Sequence, residues 1–230
     1  DGSGSVRVIR MFYALLMRTS FVDYPGKICS TLFTRGCNMR CAYCHNPELS
    51  GKIPNLTTMD YSSEYVINVL KSLTRIKAVC ITGGEPAIHD DLINDVLELK
   101  RLSLAVKVDT NGSRPEIMSA LRKHIDYIAM DFKGLDTSLF SSITFETYLK
   151  SIEEMKKFEE YEFRITMFPD YVKERDFAEI AKTLKGAKRV AVQQYRKTQF
   201  SSVEPYNSET LLHFGNILSE QVGEVIYRGI

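Results

Sequence analysis

Cys37, Cys41 and Cys44 follow one another as C-x3-C-x2-C inside the segment Arg35-Gly36-Cys37-Asn38-Met39-Arg40-Cys41-Ala42-Tyr43-Cys44-His45-Asn46-Pro47. Three thiolates so close in one loop can converge on a single soft metal centre. Zinc or a complete iron–sulfur cluster ordinarily takes four protein ligands. Three ligands leave one iron of a cubane open, and an open metal position is a place for chemistry. A structural zinc site fits poorly, because no fourth cysteine is near and His45 directly abuts Cys44. His45 is expected to hydrogen-bond within the loop or to shield the metal. Cys29 and Cys80 stand alone in apolar runs and read as small core residues.

Four more polar groups recur downstream: Gly83-Gly84-Glu85-Pro86, Asp109-Thr110-Asn111-Gly112, Asp131-Phe132-Lys133 and Gln193-Gln194-Tyr195-Arg196. Gly83 and Gly84, lacking a Cβ, let backbone come close to a ligand. Glu85 can accept from a bound ammonium, and the plain alternative for the segment is a β-turn. Asp131 and Lys133 can pair locally, and Asp109 or Thr110 can serve as an N-cap. Asn111 and Gly112 shape a turn. Arg164 is expected to face inward, because Phe163 and Ile165 fall on the other side of a strand. Arg196 and Lys197 read equally well as solvated charges. His89, His124 and His213 have no evident partners and are taken as surface or helix-end residues.

These groups need a frame, and strand and helix signals alternate along the chain. Residues 11–22 read as a short β element leading to the turn Asp23-Tyr24-Pro25-Gly26. Strands are expected at 28–34, 78–82, 104–109, 127–131, 163–168 and 189–194. Helices are expected at about 60–73, 91–101, 115–123, 145–158, 174–184 and 209–220. Such alternation implies a parallel sheet with helical crossovers. About six units are too few for a closed eight-stranded barrel. The expected fold is therefore α/β, a partial (β/α)6 TIM-like barrel with a short N-terminal β extension. Each polar group then falls at a strand C-terminus, the functional face of such folds.

Composition narrows the class further. The 230 residues are 44% apolar, enough for a full core. Thirty Lys and Arg against 29 Asp and Glu predict neither a broad nucleic-acid surface nor an acidic tail. No apolar run is long enough to span a membrane. Five cysteines, three of them clustered, do not make a disulfide framework and point to a reducing cytoplasm. Residues 1–10 read as a flexible start, with Asp1-Gly2-Ser3-Gly4-Ser5 resembling a cloning scar and Met11 the natural start. Residues 11–230 are expected to form a single domain.

The cysteine spacing, the aromatic Tyr43 before the last cysteine and the Gly-Gly-Glu-Pro together resemble the radical S-adenosylmethionine (SAM) superfamily. Thr19-Ser20-Phe21-Val22-Asp23-Tyr24-Pro25-Gly26-Lys27, Cys44-His45-Asn46-Pro47, Asp109-Thr110-Asn111-Gly112 and Met130-Asp131-Phe132-Lys133 resemble the activating enzymes of anaerobic ribonucleoside-triphosphate reductase. The pyruvate formate-lyase activators are a related group. The resemblance implies a [4Fe–4S] cluster on Cys37, Cys41 and Cys44, with the amino and carboxylate groups of SAM on the fourth iron. It implies reductive cleavage of SAM to a 5′-deoxyadenosyl radical that takes hydrogen from a glycine of the partner enzyme. It places SAM's amine at Gly83, Gly84 and Glu85, its adenine near Tyr43 and its carboxylate at Lys133, with Asn111 and Arg164 within reach. Gln194 or Arg196 would meet the ribose. Asp109, Thr110 and Asp131 would hold a monovalent cation. Flavodoxin or ferredoxin would donate the electron. The alternative is a radical SAM enzyme acting on a small molecule, such as a 7-carboxy-7-deazaguanine synthase-like enzyme.

Overall fold

A computed structural model describes residues 11–50, 60–141, 143–199 and 201–230. Residues 1–10, read above as a cloning scar and flexible start, lie outside the described residues. The described strands form one sheet in the order β3-β1-β2-β4-β5-β6-β7-β8-β9. Seven of them run parallel: β2 (Cys29–Thr34), β4 (Ala78–Gly83), β5 (Ala105–Thr110), β6 (Tyr127–Asp131), β7 (Tyr161–Thr166), β8 (Val190–Gln193) and β9 (Val225–Arg228). The crossovers are α1 (Ser63–Ser72), α2 (Leu92–Arg101), α3 (Pro115–Leu121), α4 (Phe145–Met155), α5 (Phe177–Thr183) and α6 (Ser208–Ser219). β1 (Phe12–Ser20) and the two-residue β3 (Tyr61–Ser62) add antiparallel to the β2 edge. The sheet does not close, and the partial barrel with an N-terminal β extension is present.

Alternation along each strand sorts side chains by face. Val79 and Ile81, Val106 and Val108, and Leu32 pack toward α1 and α2. Ile128 and Met130, Phe163 and Ile165, and Val190 and Val192 pack toward the remaining helices. The opposite parity points inward. At the strand starts those inward residues are small (Cys29, Ala78, Cys80, Ala129), and Tyr24 and Tyr127 close the space beneath them with ring centroids 5.9 Å apart. The Asp23–Gly26 turn thus plugs the N-terminal mouth of the partial barrel. Toward the strand ends the inward residues become Thr82, Asp109, Asp131, Arg164 and Gln193, which line a cavity.

Local signals explain the helix starts. Ser62, Thr144 and Asn207 cap α1, α4 and α6 by accepting from backbone N–H groups three residues on. Pro115 opens α3, where its missing N–H has no partner to lose.

Four expectations shift. The helix expected from about residue 60 begins at Ser63, because Tyr61 and Ser62 pair with β1 as β3. The seventh parallel strand, β9, was not foreseen: four residues between a turn and the last residue carry little periodicity. β7 begins two residues earlier than the expected 163–168, because Met167 and Phe168 extend its apolar run but belong to the following turn. The expected helix 174–184 opens as a short 3-10 turn over Glu174–Asp176 before α5.

Candidate active site

The cysteine loop leaves β2 and is tied down from several directions. Gly36 donates its N–H to the Leu49 carbonyl at 2.6 Å, closing the loop's two ends. Arg40 N–H reaches the Phe140 carbonyl at 2.7 Å, and Ala42 N–H reaches the Tyr171 hydroxyl at 2.9 Å. His89 holds the loop too, with Nε2 2.8 Å from the Arg35 carbonyl. This corrects the expectation that His89 has no partner.

Cys37, Cys41 and Cys44 are in no disulfide, are half-buried and all lie on the rim of one cavity of about 470 Å³. Met39 N–H donates to Cys37 Sγ at 3.4 Å, and Asn111 Nδ2 lies 3.8 Å from it. Burial pushes the Cys37 thiol above its ordinary pKa, against the pull of the Met39 N–H. A thiolate there calls for a positive centre, which iron supplies. Among the described residues no three Cys, His, Asp or Glu side chains close round a single ion. Three cysteines spread along one loop are a donor set that fits a cubane, in which each would take its own iron.

The Gly-Gly-Glu-Pro segment ends β4 against this loop. Gly84 donates to Thr34 O and Glu85 to Gly36 O, each at 2.8 Å. A Cβ on Gly84 would stand 1.8 Å from the Gly36 carbonyl oxygen, and one on Gly83 would stand 2.4 Å from Thr34 N. The close approach these glycines permit is therefore first of all backbone on backbone, clamping the cysteine loop to β4. Glu85 is 1% exposed. Its Oε1 accepts from Thr110 Oγ1 at 2.7 Å and Ala87 N–H at 2.9 Å, and its Oε2 from Asn111 N–H at 2.6 Å. Burial pushes its pKa up to about 7 against those three donors. Asn111 reaches back to the loop, donating to Asn38 Oδ1 at 3.0 Å, while Asn38 donates to Ser113 Oγ at 2.8 Å.

A row of charges crosses the cavity floor. Arg164 donates from Nη1 to Asp109 Oδ2 at 2.9 Å and from Nε to Asp131 Oδ1 at 2.7 Å. Lys107, 2% exposed, pairs with Asp109 Oδ1, and Lys133 Nζ lies 3.3 Å from Asp131 Oδ2. Burial pushes both carboxyls up, but Arg164 and then the lysines more than offset it. Asp131 falls to about 2 and Asp109 below its usual range. Asp109, Thr110 and Asp131, expected to hold a monovalent cation, do lie together. Asp109 meets Lys107 and Arg164, Asp131 meets Arg164 and Lys133, and Thr110 Oγ1 donates to Glu85, so both aspartates already have cationic partners within the protein.

Lys133 is positioned from behind. The Tyr148 hydroxyl accepts its backbone N–H at 2.9 Å and donates to the Asp131 carbonyl at 2.6 Å. Its ammonium also lies 5.7 Å from the centroid of the Tyr43 ring. Tyr43 lines the cavity and packs against Phe168, Tyr171 and Tyr195. Gln194 lines the cavity as well, although its amide donates to the carbonyls of Tyr195 and Tyr206. Arg196 is exposed and not part of the lining.

Sequence reasoning missed Lys107, Asn38 and Asp23. Lys107 shares strand parity with Asp109, which is the signal that was there to be read. Asp23 comes from the plugging turn, lines the cavity and accepts from Thr31 Oγ1 at 2.6 Å.

An open α/β sheet with three thiols and a polar, charge-lined cavity at its strand ends defines a class of protein, and comparison agrees. The model of the radical SAM superfamily matches residues 31–185, and the chain belongs to that family. Such enzymes use a [4Fe–4S] cluster and SAM. The chain is 30% identical over 228 residues to a Methanocaldococcus jannaschii protein provisionally named a glycyl-radical enzyme activating enzyme, covering 92% of this chain and 93% of that one. It is 28% identical to the pyruvate formate-lyase-activating enzyme of Clostridium pasteurianum, covering 81% and 82%. A radical SAM methyltransferase structure from Sphaerobacter thermophilus shares the fold, with a TM-score of 0.65, 15% identity and coverage of 91% and 68%. Among the described residues no helix is long and apolar enough to cross a membrane.

Proposed function

We propose that this radical SAM enzyme takes a hydrogen atom from a glycine of a partner protein, anaerobic ribonucleoside-triphosphate reductase, with a flavodoxin or ferredoxin as electron donor. The observation that carries the reading is the similarity to the M. jannaschii protein along nearly the whole of both chains. The open sheet supports it, because a peptide loop needs lateral access to the cavity.

In this reading Cys37, Cys41 and Cys44 hold three irons of the cluster. Cluster and SAM together supply a 5′-deoxyadenosyl radical. The chain's own residues bind and orient. The Lys133 ammonium, backed by Tyr148, receives the SAM carboxylate. Gly83 and Gly84 present backbone to the amine, and Glu85 acts mainly by holding that turn to Asn111. Tyr43, backed by Phe168, walls the adenine side, and Gln194 shapes the ribose side through the loop it fastens. Phe168, Tyr171 and Tyr195 pack behind Tyr43 and fix its ring at the cavity wall.

The test is isotopic. With a reductase carrying α-deuterated glycine, the 5′-deoxyadenosine released should gain deuterium by mass spectrometry. Unlabelled 5′-deoxyadenosine would reject the glycine as hydrogen source and favour a small molecule of the 7-carboxy-7-deazaguanine synthase kind.

A further inference from the structure

Lys107 is a lysine where a strand buried on both faces has no ordinary use for one. It lies on β5 between Val106 and Val108, which pack toward the helices, so its side chain points into the partial barrel. It is 2% exposed, and its ammonium touches Asp109 Oδ1 and lies 3.6 Å from Cys80 Sγ. A charge placed there is desolvated and persists only with a partner. Asp109 is that partner, two residues along on the same face.

The rest of the floor is similarly filled. Asp109 Oδ2 and Asp131 Oδ1 are bridged by Arg164, and Asp131 Oδ2 faces Lys133. Thr110 Oγ1 donates to Glu85 and accepts from Gly112 N–H. Asp109 and Asp131 thus meet three cationic side chains, while the cavity's other carboxylates are held elsewhere, Asp23 by Thr31 and Glu85 by Thr110, Ala87 and Asn111. A metal cation entering here would have to displace an ammonium and would then face the charge it displaced. Lys133 is free to turn to a ligand carboxylate, because it lies at the cavity wall. Lys107 has no such alternative, since it does not reach the lining.

We propose that the Lys107 ammonium is a built-in counter-ion that holds Asp109 in place of a monovalent metal cation, so that SAM binding by this enzyme is indifferent to sodium and potassium. Asp109 in turn fixes Arg164, and Arg164 fixes Asp131 beside Lys133, which makes Lys107 a positioning residue for the carboxylate end of SAM. The proposal rests on the SAM site and not on the identity of the hydrogen donor, so a failed glycine test leaves it standing.

The test is equilibrium binding of SAM to anaerobically reconstituted enzyme in choline chloride and in potassium chloride at equal ionic strength. The wild-type dissociation constant should agree within about twofold between the salts. Lys107→Met should weaken SAM binding in choline by about tenfold, the scale of one lost charge interaction, and potassium should restore it. A merely structural lysine would show no such rescue. Wild-type binding that collapses in choline and returns with potassium would overturn the proposal, and this arm stands even if Lys107→Met does not fold. A Lys107→Met protein that binds like wild type in choline, or whose loss potassium does not repair, would overturn it as well.

Discussion

Glu85 Oε2 accepts the backbone N–H of Asn111 at 2.6 Å, and this bond makes one unit of the turns that end β4 and β5. The cysteine loop hangs from the same unit, since Gly36 O accepts from Glu85 N–H and Asn38 Oδ1 accepts from Asn111 Nδ2. Cluster loop, Gly-Gly turn and Asp-Thr-Asn turn should respond together to a change at any one of them.

Glu85→Gln tests that coupling. The amide must turn its NH2 toward one of three donors that now meet carboxylate oxygens. A buried mismatch of this kind costs about 1–3 kcal/mol. Urea unfolding should report a loss of that size, with weakened SAM binding beside it. Unchanged stability and affinity would refute the coupling.

Gly84→Ala should expel the cluster loop from its seat, because the new Cβ would meet the Gly36 carbonyl oxygen at 1.8 Å. Iron content after reconstitution and gel filtration should drop sharply. Gly186→Ala is the control: Gly186 has φ +78° but open space for a Cβ, so it should lose stability yet keep its iron.

Arg164→Leu removes the side chain that spans Asp109 and Asp131. Breaking a buried ion pair by deleting one partner costs about 3–5 kcal/mol. Arg164→Lys should recover only part of this, because a single ammonium lacks the guanidinium's fork of donors. Denaturant midpoints rank the three proteins, and equal midpoints would remove Arg164 from its structural role.

Asp95 gives a pH signature well away from the cavity. Its Oδ2 accepts from the hydroxyls of Tyr13 and Ser63, each at 2.7 Å, while the buried Oδ1 has no partner among the described residues. Burial raises its pKa from 3.8 to about 6 against those two donors. The folded state then binds more protons than the unfolded one between these values, so its contribution is full below pH 3.8 and is lost as pH rises through about 6. Asp95→Asn keeps an oxygen for Tyr13 and Ser63 and has no charge to desolvate. Its stability should fall less than that of wild type between pH 4 and 6 in thermal scans. Parallel curves would show that Asp95 does not titrate there.

Much of this architecture was legible from residue patterns. β6 falls at Tyr127–Asp131 as expected, because its continuous apolar run ends in a charge. The polar groups at strand ends could be read as a site because they recur after β-prone runs. Lys107 stayed hidden, since a lone lysine in a strand reads as a solvent-facing residue, and only the packing of Val106 and Val108 shows that its face is the interior. Likewise Glu85 reads as a ligand acceptor from its type, whereas its three protein donors come from turns brought together only by the fold.

The most direct test of the central claim is spectroscopic. Enzyme with its cluster reconstituted anaerobically is mixed with SAM, dithionite and the same organism's anaerobic ribonucleotide reductase, and the EPR spectrum is recorded. The account predicts a glycyl-radical doublet that is absent when Cys41→Ala enzyme is used. Release of 5′-deoxyadenosine with no such doublet would contradict it.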